Sequence, residues 1–507
     1  MDCLLGLDVG TTATKALLYD LGGVPLASAS FGYGLITPRQ GWVEQDPEAL
    51  WRGVVETCQA IAKTLRPGDR ILALSLASQG ATTVPVDGDG RPIGNAISWM
   101  DMRADEQARR VARTWGEEHI RTTTGWPLIA GLPLQHIAWL RDHSPAEFAA
   151  TRYFLFVNDF IGQRLAGERV MDPSNASITQ LFNIAEGDWD DRLLEDVGIR
   201  REQLSPVRPS GCLIGRLTAA ASEATGLPRG VPVVNGGHDQ FCAAVGTGVT
   251  RPGSVLLSCG TAWVILAVPE DREVGLRSGI AISRHAVEGR YGVIHSLGGV
   301  GASLEWFVDN IWRGDDKSAV RAGLYGAINA AAARAPTGAG GLLFYPLAGG
   351  HDTTRAGAGG FAGLALSHSR DDMARAGMEG IAFELRWALD EIRRAGIGVT
   401  ELKMVGGAAK STIWPRIVAD ITGIPVALPA AREAASYGAA ILAGVGAGLY
   451  ADPEAGLASI ERDAERARLT PSASDRQRYD DSFACYQAAW AGICQRPGAP
   501  CRARSGT

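Results

Sequence analysis

One local pattern occurs twice in the chain, and it constrains the fold more than any other feature. The first copy is a run of apolar residues at positions 4–9, a Gly10-Thr11-Thr12 turn and a second apolar run. The second copy, at residues 254–266, has the same arrangement around Gly260-Thr261, about half the chain length further on. Two apolar runs that flank a short glycine turn are typical of a β-hairpin. The recurrence at mid-chain predicts a molecule of two related lobes.

The composition is that of a large globular protein. Of the 507 residues, 46% are hydrophobic and 21% are charged, so the chain can bury a sizeable core and disorder is excluded as its main state. At ~100–200 residues per domain, this length predicts roughly two to four domains. Glycine is in excess, with 64 residues and no G-x-y period. That pattern excludes collagen and favours tight turns or close approaches between backbones.

Charge and cysteine spacing bear on partners and location. The formal net charge is −6, which makes binding to nucleic acid or to an anionic membrane surface unfavourable. Asp2 stands where a secretion signal needs positive charge, and glycines interrupt the longest apolar stretch, residues 434–450, so we expect neither an export signal nor a membrane span. None of the eight cysteines forms a C-x-x-C pair, which favours free thiols in a cytoplasmic protein.

Strands and helices are expected to alternate, which predicts an α/β fold. Asp46 and Pro47 are placed as the N-cap and the first residue of a helix. Ser369 and Asp372 have the spacing of a capping box. The sequence predicts further strands at residues 71–77, 231–234 and 402–405, and helices at residues 370–395, 413–422 and 434–445.

The first turn is suited to phosphate chemistry. In Asp8-x-Gly10-Thr11-Thr12 the glycine lets backbone N–H groups approach phosphate oxygens, and the hydroxyls add donors. Asp8 is placed to hold Mg²⁺ directly or through water, and Lys15 would add positive charge. An ordinary hairpin turn is the alternative interpretation.

A second glycine turn, Gly406-Gly407, lies between a predicted strand and a predicted helix. There a helix N-terminus and bare backbone would meet a nucleotide. The turn matches neither G-x-G-x-x-G nor G-x-x-x-x-G-K-[ST], which excludes a Rossmann site and a P-loop. In the second hairpin, Cys259 is expected where the first has Asp8, so only the first hairpin would hold a metal.

Two further groups are candidates for a site. Asp239 follows a predicted strand and two glycines, where a carboxylate can serve as a general base; the alternative is a helix N-cap. Trp99, Asp101 and Arg103 alternate along the chain and would share one face. That face either binds a sugar by stacking and hydrogen bonds or holds a structural ion pair.

Taken together, these motifs resemble the FGGY family of carbohydrate kinases. The matching stretches are residues 8–12, 41–47, 133–140, 236–240, 258–261, 405–426 and 435–440, in the order in which the family has them. The resemblance implies an α/β, two-lobed, actin-like or ribonuclease-H-like ATPase fold with a central cleft. It also implies transfer of a phosphoryl group from Mg-ATP to a hydroxyl of a sugar or polyol. His136 stands where the family usually has lysine, which indicates a divergent subgroup.

The resemblance implies a role for each matched residue. Asp239 would accept the proton of the substrate hydroxyl, and Asp8 would position Mg²⁺. The nucleotide would be held by Gly10, Thr11, Thr12, Lys15, Gly260, Thr261, Gly406, Gly407 and Ser411. The sugar would be bound by Ser78, Gln79, Trp99, Asp101, Arg103, Asp239 and Gln240. Residues 1–245 would form the lobe with the sugar site and the first phosphate motif, and residues 246–507 the lobe with the second phosphate motif and the adenosine motif.

The substrate is indicated by the stretch Ser78-Gln79-Gly80-Ala81, which resembles the family's sugar-contacting loop. Glycerol kinases carry Arg-Glu in place of Gly80-Ala81, so glycerol is disfavoured. Xylulokinases carry Met-His in place of Ser78-Gln79. We therefore expect a xylulokinase-like enzyme that acts on a ketopentose such as D-xylulose, with another ketose or a polyol as the alternative.

Two functions without sugar phosphorylation are also open at this point. An actin-like ATPase of another class shares the fold, but it would leave Asp239 without a role. A sugar-responsive regulator that binds DNA would need a helix-turn-helix, which an acidic chain beginning at the phosphate hairpin does not offer. The expected partner is a small-molecule sugar, with no nucleic acid and no membrane, and the sequence leaves a homodimer open.

Overall fold

A computed structural model describes residues 1–313, 321–352, 359–431, 433–460 and 465–494. The chain divides into two compact units. The first unit consists of Met1–Arg251, Val268–Val293 and Glu433–Ala464, and the second of Pro252–Ala267, Ile294–Arg432 and Glu465–Thr507. Each unit is thus assembled from separate stretches of the chain, whereas the sequence analysis expected two contiguous lobes.

Strands and helices are numbered along the chain. The strands are β1 Asp2–Val9, β2 Ala13–Asp20, β3 Pro25–Gly32, β4 Glu44–Gln45, β5 Arg70–Ser78, β6 Thr83–Val86, β7 Ala96–Ile97, β8 Tyr153–Phe156, β9 Phe182–Asn183, β10 Asp188–Trp189, β11 Leu213–Arg216, β12 Pro232–His238, β13 Gly253–Cys259, β14 Trp263–Ala267, β15 Ala281–Arg284, β16 Tyr291–Ser296, β17 Leu343–Tyr345, β18 Gly360–Ala362, β19 Val399–Gly406, β20 Val426–Pro429 and β21 Glu465–Leu469. The helices are α1 Pro47–Ala62, α2 Asp105–Trp115, α3 Glu117–Thr124, α4 Pro133–His143, α5 Pro145–Ala150, α6 Val157–Ala166, α7 Pro173–Ile178, α8 Asp191–Val197, α9 Ala219–Thr225, α10 Asp239–Thr247, α11 Arg272–Arg277, α12 Val300–Phe307, α13 Arg321–Arg334, α14 Arg370–Arg394, α15 Trp414–Thr422, α16 Ala434–Gly446, α17 Pro453–Ile460 and α18 Ala473–Cys494.

The first unit is built on a six-stranded sheet in the order β11-β12-β5-β1-β2-β3. Strands β1, β2 and β3 are antiparallel neighbours, which confirms the first predicted hairpin. Strand β5 runs parallel both to β1 and to β12. The carboxyl ends of three adjacent parallel strands therefore meet at one edge of this sheet, where α/β proteins commonly bind ligands.

The second unit repeats this arrangement. Strands β13 and β14 form an antiparallel hairpin, which confirms the second predicted hairpin, and β13 runs parallel to β19 as β1 does to β5. Val9 and Cys259 are the last residues of β1 and β13, immediately before the glycine of each turn. The residue that corresponds to Asp8 is therefore Ser258, and the expectation that placed Cys259 there was wrong by one position.

The two helix caps predicted from the sequence are confirmed. The Asp46 side chain accepts a hydrogen bond from the Glu48 N–H group, and Pro47 is the first residue of α1. Ser369 and Asp372 form the predicted capping box at the start of α14. Such caps satisfy backbone N–H groups that have no partner inside the helix.

Helix α16 returns to the first unit late in the chain and packs on β1, β5 and β12 as well as on α10. Ala440 and Ala443 of α16 join Leu4, Ala73 and Val234 of the sheet in one buried apolar cluster. The contact with α10 is close: a Cβ atom at Gly438 would lie 1.8 Å from the Cys242 carbonyl oxygen. The glycine is therefore required for the helix that begins at Asp239 to lie where it does.

No helix in the part of the chain described is long and apolar enough to cross a membrane. Six cysteine side chains are described, and each is a free thiol.

Replacing Gly438 with alanine should destabilise the first unit, because the added methyl group overlaps with backbone that cannot rotate away. We expect a loss of about 1–3 kcal/mol in the free energy of unfolding, measured by urea denaturation. Gly377 of α14 is the control, since a Cβ atom there meets only Leu304 Cδ1, at 3.8 Å. Gly377→Ala should leave stability unchanged or raise it by about 1 kcal/mol through helix propensity. Equal effects of the two substitutions would contradict the packing argument.

Candidate active site

Three side chains that the sequence analysis singled out lie at the carboxyl edge of the first sheet. Pairing of β1 and β12 with β5 aligns Asp8 and Gly237 with Ala77. Gln79 is the first residue after β5, and Asp239 is the first residue after β12. Between Val234 and Gly237, β12 contains one more residue than β5, which is a β-bulge. Bulges of this kind redirect the side chains that follow them.

Asp239 is the first residue of α10, and His238 occupies the N-cap position without a side-chain capping bond. The N-cap alternative for Asp239 is therefore not what the structure shows. The Asp239 side chain is 30% exposed, so a substrate can reach it. Burial raises the pKa of this carboxyl to about 6, while hydrogen bonds from Gln240 act in the opposite direction. Such a group is ionised at neutral pH yet basic enough to accept a proton.

Asp8 lies near the end of β1, directly across from Lys15 of β2. Burial, together with the negative charge of Asp239, raises the pKa of the Asp8 carboxyl to about 7, and the charge of Lys15 opposes this. The Lys15 ammonium lies 2.6 Å from a carboxylate oxygen of Glu433. A bound cation would favour ionisation of both aspartates, because it would offset the repulsion between them.

The Asp8 carboxylate fits a Mg²⁺ ion whose other ligands are mainly water molecules and substrate phosphates. Within the described ranges of the chain, no group of three or more His, Cys, Asp or Glu side chains is arranged to hold a metal. Mg²⁺ is commonly bound through one or two carboxylates, with water and substrate phosphates as its other ligands. A single, partly buried carboxylate beside the Gly10 turn is consistent with that mode.

The predicted phosphate turn of the first unit is hydrogen-bonded to Gln45 and Trp99. Gly10 N–H donates to the Ala13 carbonyl, and the Thr11 carbonyl accepts a hydrogen bond from Gln45. The Thr11 hydroxyl lies 3.1 Å from the indole nitrogen of Trp99, which donates to it. Thr12 is exposed at the tip of the turn.

The predicted sugar-contacting loop is buried and tightly packed. Ser78 is fully buried, and its hydroxyl lies 3.4 Å from the Asn175 amide nitrogen. A Cβ atom at Gly80 would lie 2.4 Å from the His238 ring, so a side chain there would compete with the imidazole for space. Ala81 has a φ of 61°, in the left-handed region that non-glycine residues seldom adopt. Strain of this kind is frequent at ligand-binding sites.

Trp99, Asp101 and Arg103 do not share one face. Trp99 is exposed, whereas Asp101 is fully buried and the Arg103 side chain is 4% exposed. Arg103 pairs with Asp101 and Glu44, and its guanidinium lies 3.8 Å from the ring centre of Trp42. For Asp101 and Arg103 the structure shows the ion pair of the second interpretation. Their role in sugar binding stays a prediction, as does that of Trp99.

In the second unit, the predicted nucleotide residues lie at the carboxyl ends of β13 and β19. Gly406 pairs with Cys259, and Gly407 N–H donates to the Cys259 carbonyl, so both glycine turns of this unit adjoin. The Thr261 hydroxyl lies 3.5 Å from a carboxylate oxygen of Glu305.

The strand and the helix predicted on either side of the Gly406-Gly407 turn are confirmed: β19 ends at Gly406, and α15 begins one residue after the predicted start at residue 413. A short 3₁₀ turn, Ala408–Lys410, intervenes before α15 starts at Trp414. This turn separates the two glycines from the start of α15, and a role of that helix N-terminus and of the glycines in nucleotide binding stays a prediction. The Ser411 hydroxyl donates to the Asn329 side chain and accepts a hydrogen bond from Trp414 N–H, so it stabilises the start of α15.

Several residues of the first sheet edge had no assigned role in the sequence analysis. Gln45 lies within a stretch that matched the family, but nothing in the sequence indicated that it contacts Gln79. His238 was quoted only as the neighbour of Asp239. Glu433, which pairs with Lys15, gave no sequence signal, because the two residues are far apart in the chain.

Comparison with known proteins establishes the family. The model of the FGGY family of carbohydrate kinases, N-terminal domain, matches residues 3–246, and that of the C-terminal domain matches residues 255–447. The chain belongs to the FGGY family of carbohydrate kinases. It is 29% identical to a xylulose kinase of Bacillus subtilis over 96% of both chains, and 30% identical to an L-xylulose/3-keto-L-gulonate kinase of Escherichia coli over 95% of both. The crystal structure of xylulose kinase from Rhodospirillum rubrum covers 97% of this chain and 99% of its own, with 27% identity and a TM-score of 0.86.

These comparisons confirm the predicted family, the α/β actin-like fold class and the enzyme class. The chain is a carbohydrate kinase of a family that uses ATP as phosphoryl donor and acts on small-molecule sugars. The alternatives of a non-kinase ATPase and of a DNA-binding regulator are thereby set aside.

The raised pKa of Asp8 has a consequence for stability. Folding raises this pKa from an ordinary 3.8 to about 7, so the ligand-free enzyme loses stability as the pH rises between these values. Asp8→Asn removes the buried charge and should raise the melting temperature relative to wild type more at about pH 8 than at about pH 5. Calorimetry in the presence of a chelator measures both differences. A melting-temperature difference that is independent of pH would contradict this account.

Proposed function

We propose that the protein transfers the γ-phosphoryl group of Mg-ATP to a hydroxyl of a ketopentose, with D-xylulose as the expected substrate and Asp239 as the general base. The observation that carries the proposal is the meeting of Asp239, Asp8 and Gln79 at one edge of the first sheet. A proton acceptor, a metal-binding carboxylate and a hydroxyl-binding amide are the groups that this reaction needs.

Asp239 would accept the proton of the attacking hydroxyl as the oxygen bonds to phosphorus. Its pKa of about 6 suits this role, because the carboxylate is ionised at neutral pH and its proton is released again afterwards. The start of α10 holds this carboxyl at a fixed position beside the sugar-contacting loop. Alignment of this kind supplies much of the rate enhancement in phosphoryl transfer.

Asp8 would hold Mg²⁺, and the Gly10-Thr11-Thr12 turn would offer backbone N–H groups and hydroxyls to phosphate oxygens. Mg²⁺ supplies neutralisation of the charge on the transferred phosphoryl group. Lys15 remains a predicted phosphate contact, as do Gly260, Thr261, Gly406, Gly407 and Ser411 for the nucleotide. Gln240, next to the base, remains a predicted sugar contact.

The choice of a ketopentose is supported by the relatives and by the loop. Two of the reported relatives carry xylulose or L-xylulose in their names. The loop lacks the Arg-Glu pair that glycerol kinases place at Gly80-Ala81, and the His238 ring fills the space that a side chain at position 80 would need. We expect glycerol to be a poor substrate for this reason.

A coupled ATPase assay over ketoses, aldoses, polyols and sugar acids tests the proposal. Asp239→Asn should lower kcat by about 10²–10⁴-fold with the preferred sugar, since the general base is lost. Asp481→Asn, an exposed aspartate of α18, is the control and should leave kcat unchanged. Full activity of Asp239→Asn, or a panel in which no ketopentose is phosphorylated, would overturn the proposal.

The pH profile gives an independent check. At saturating Mg-ATP, kcat/KM for the sugar should fall about tenfold per pH unit below about pH 6, because the protonated Asp239 carboxyl cannot accept the hydroxyl proton. The coupling enzymes are kept in excess at every pH, and a second detection of ADP serves as control. A flat profile between about pH 5 and about pH 8 would argue against Asp239 as the base.

A further inference from the structure

Three polar groups of the first unit are joined in a short chain of hydrogen bonds. The Thr11 carbonyl accepts a bond of 2.8 Å from Gln45 Nε2, and Gln45 Oε1 accepts a bond of 2.9 Å from Gln79 Nε2. Gln45 and Gln79 are 1% and 3% exposed. This chain of hydrogen bonds therefore connects the predicted phosphate turn to the predicted sugar-contacting loop through two buried side chains.

The chemistry of these groups fixes the orientation of both amides. A backbone carbonyl can only accept a hydrogen bond, so Gln45 must direct its NH₂ group towards Thr11 and its oxygen towards Gln79. Gln79 must then direct its own NH₂ group towards Gln45. Its oxygen, Oε1, is buried, and no donor among the described residues reaches it. A buried acceptor without a partner is costly unless a ligand supplies the donor.

The imidazole ring of His238 also offers a hydrogen-bond acceptor near the sugar-contacting loop. His238 Nε2 lies 3.5 Å from a carboxylate oxygen of Asp239, and an ionised carboxylate at this position favours the tautomer with the proton on Nε2. His238 Nδ1 is then an acceptor, and it too is buried without a partner among the described residues. The ring lies against Gly80, next to Gln79.

The charges near these two acceptors are also unfavourable for an anion. Asp8 and Asp239 place two carboxylates at the same sheet edge. The positive charges of Lys15 and Arg103, which the sequence analysis expected to serve ligands, are paired with Glu433 and with Glu44 and Asp101. A substrate carboxylate would meet acceptors and negative charge here, whereas the hydroxyl groups of a neutral substrate would each donate one hydrogen bond to such acceptors.

We propose that Gln45 is a positioning residue that presents Gln79 Oε1 as a hydrogen-bond acceptor, and that the site thereby selects neutral polyhydroxy substrates over sugar acids. The inference rests on the proposed function of this site and specifies its substrate class. The distinction is relevant because one relative is named for both L-xylulose, which is neutral, and 3-keto-L-gulonate, which carries a carboxylate.

The test compares kcat and KM of the full-length enzyme for neutral ketoses, neutral polyols and aldonic acids. Gln45→Met keeps the side-chain length but frees the Gln79 amide to rotate. We expect KM for the preferred neutral substrate to rise about tenfold with kcat changed less than about threefold, as for loss of one substrate hydrogen bond. The preference for neutral substrates over acids should fall by a similar factor. Gln45→Asn, which is too short to reach both partners, provides a second variant if Gln45→Met folds poorly.

A double-mutant cycle distinguishes an effect of Gln45 on the position of Gln79 from a general disturbance of the local structure. If Gln45 acts through Gln79, the variant with both Gln45→Met and Gln79→Met should have the same KM as Gln79→Met alone. Gln59→Met is the matched control, because Gln59 also donates to a part-buried backbone carbonyl, that of Ala224, but lies on α1. It should leave KM and the substrate preference unchanged.

The outcomes distinguish this inference from the proposed function. If a neutral polyol is preferred over every ketopentose, the ketopentose assignment fails and the inference stands. If the wild-type enzyme prefers a sugar acid, the inference is overturned. It is also overturned if a ketopentose is preferred but Gln45→Met leaves KM unchanged, or if the two substitutions have additive effects.

Discussion

The position of the Asp239 carboxyl depends on the irregular pairing of β12 with β5. In regular pairing, side chains alternate between the two faces, and a shift of one residue moves every following side chain to the other face. The extra residue between Val234 and Gly237 introduces such a shift immediately before the strand ends. The Asn235 side chain stabilises the bulge by donating to the Arg208 carbonyl. The positions of His238 and of the start of α10, which directly follow the irregularity in β12, depend on it.

The same edge shows a conflict between stability and function. Two carboxyl groups with raised pKa values lie together, which disfavours the ionised forms that the proposed catalysis needs. The apolar core beneath the sheet, in which Leu5, Leu7 and Leu76 are fully buried, offsets the unfavourable free energy of placing these carboxyl groups together. A nucleotide-bound cation at the proposed site would reduce the repulsion, so its binding would also stabilise the folded edge.

The features that were predicted correctly from the sequence are those that local interactions determine. Both hairpins, the caps of α1 and α14 and the family were correct, because each depends on residues close together in the chain or on motifs with fixed spacing. What the sequence analysis missed depends on pairing between distant segments: the bond between Gln45 and Gln79, the ion pair of Lys15 with Glu433, and the burial of Arg103 against Trp42. No local pattern specifies which partner a buried polar side chain will find.

The return of α16 to the first unit has a consequence for synthesis of the protein. Leu4, Ala73 and Val234 pack against Ala440 and Ala443, which are made hundreds of residues later. The apolar surface of the first sheet is therefore exposed while the intervening segment emerges from the ribosome. Completion of this core must wait until α16 has been translated, so the nascent chain passes through a long period in which it is open to aggregation and to binding by chaperones.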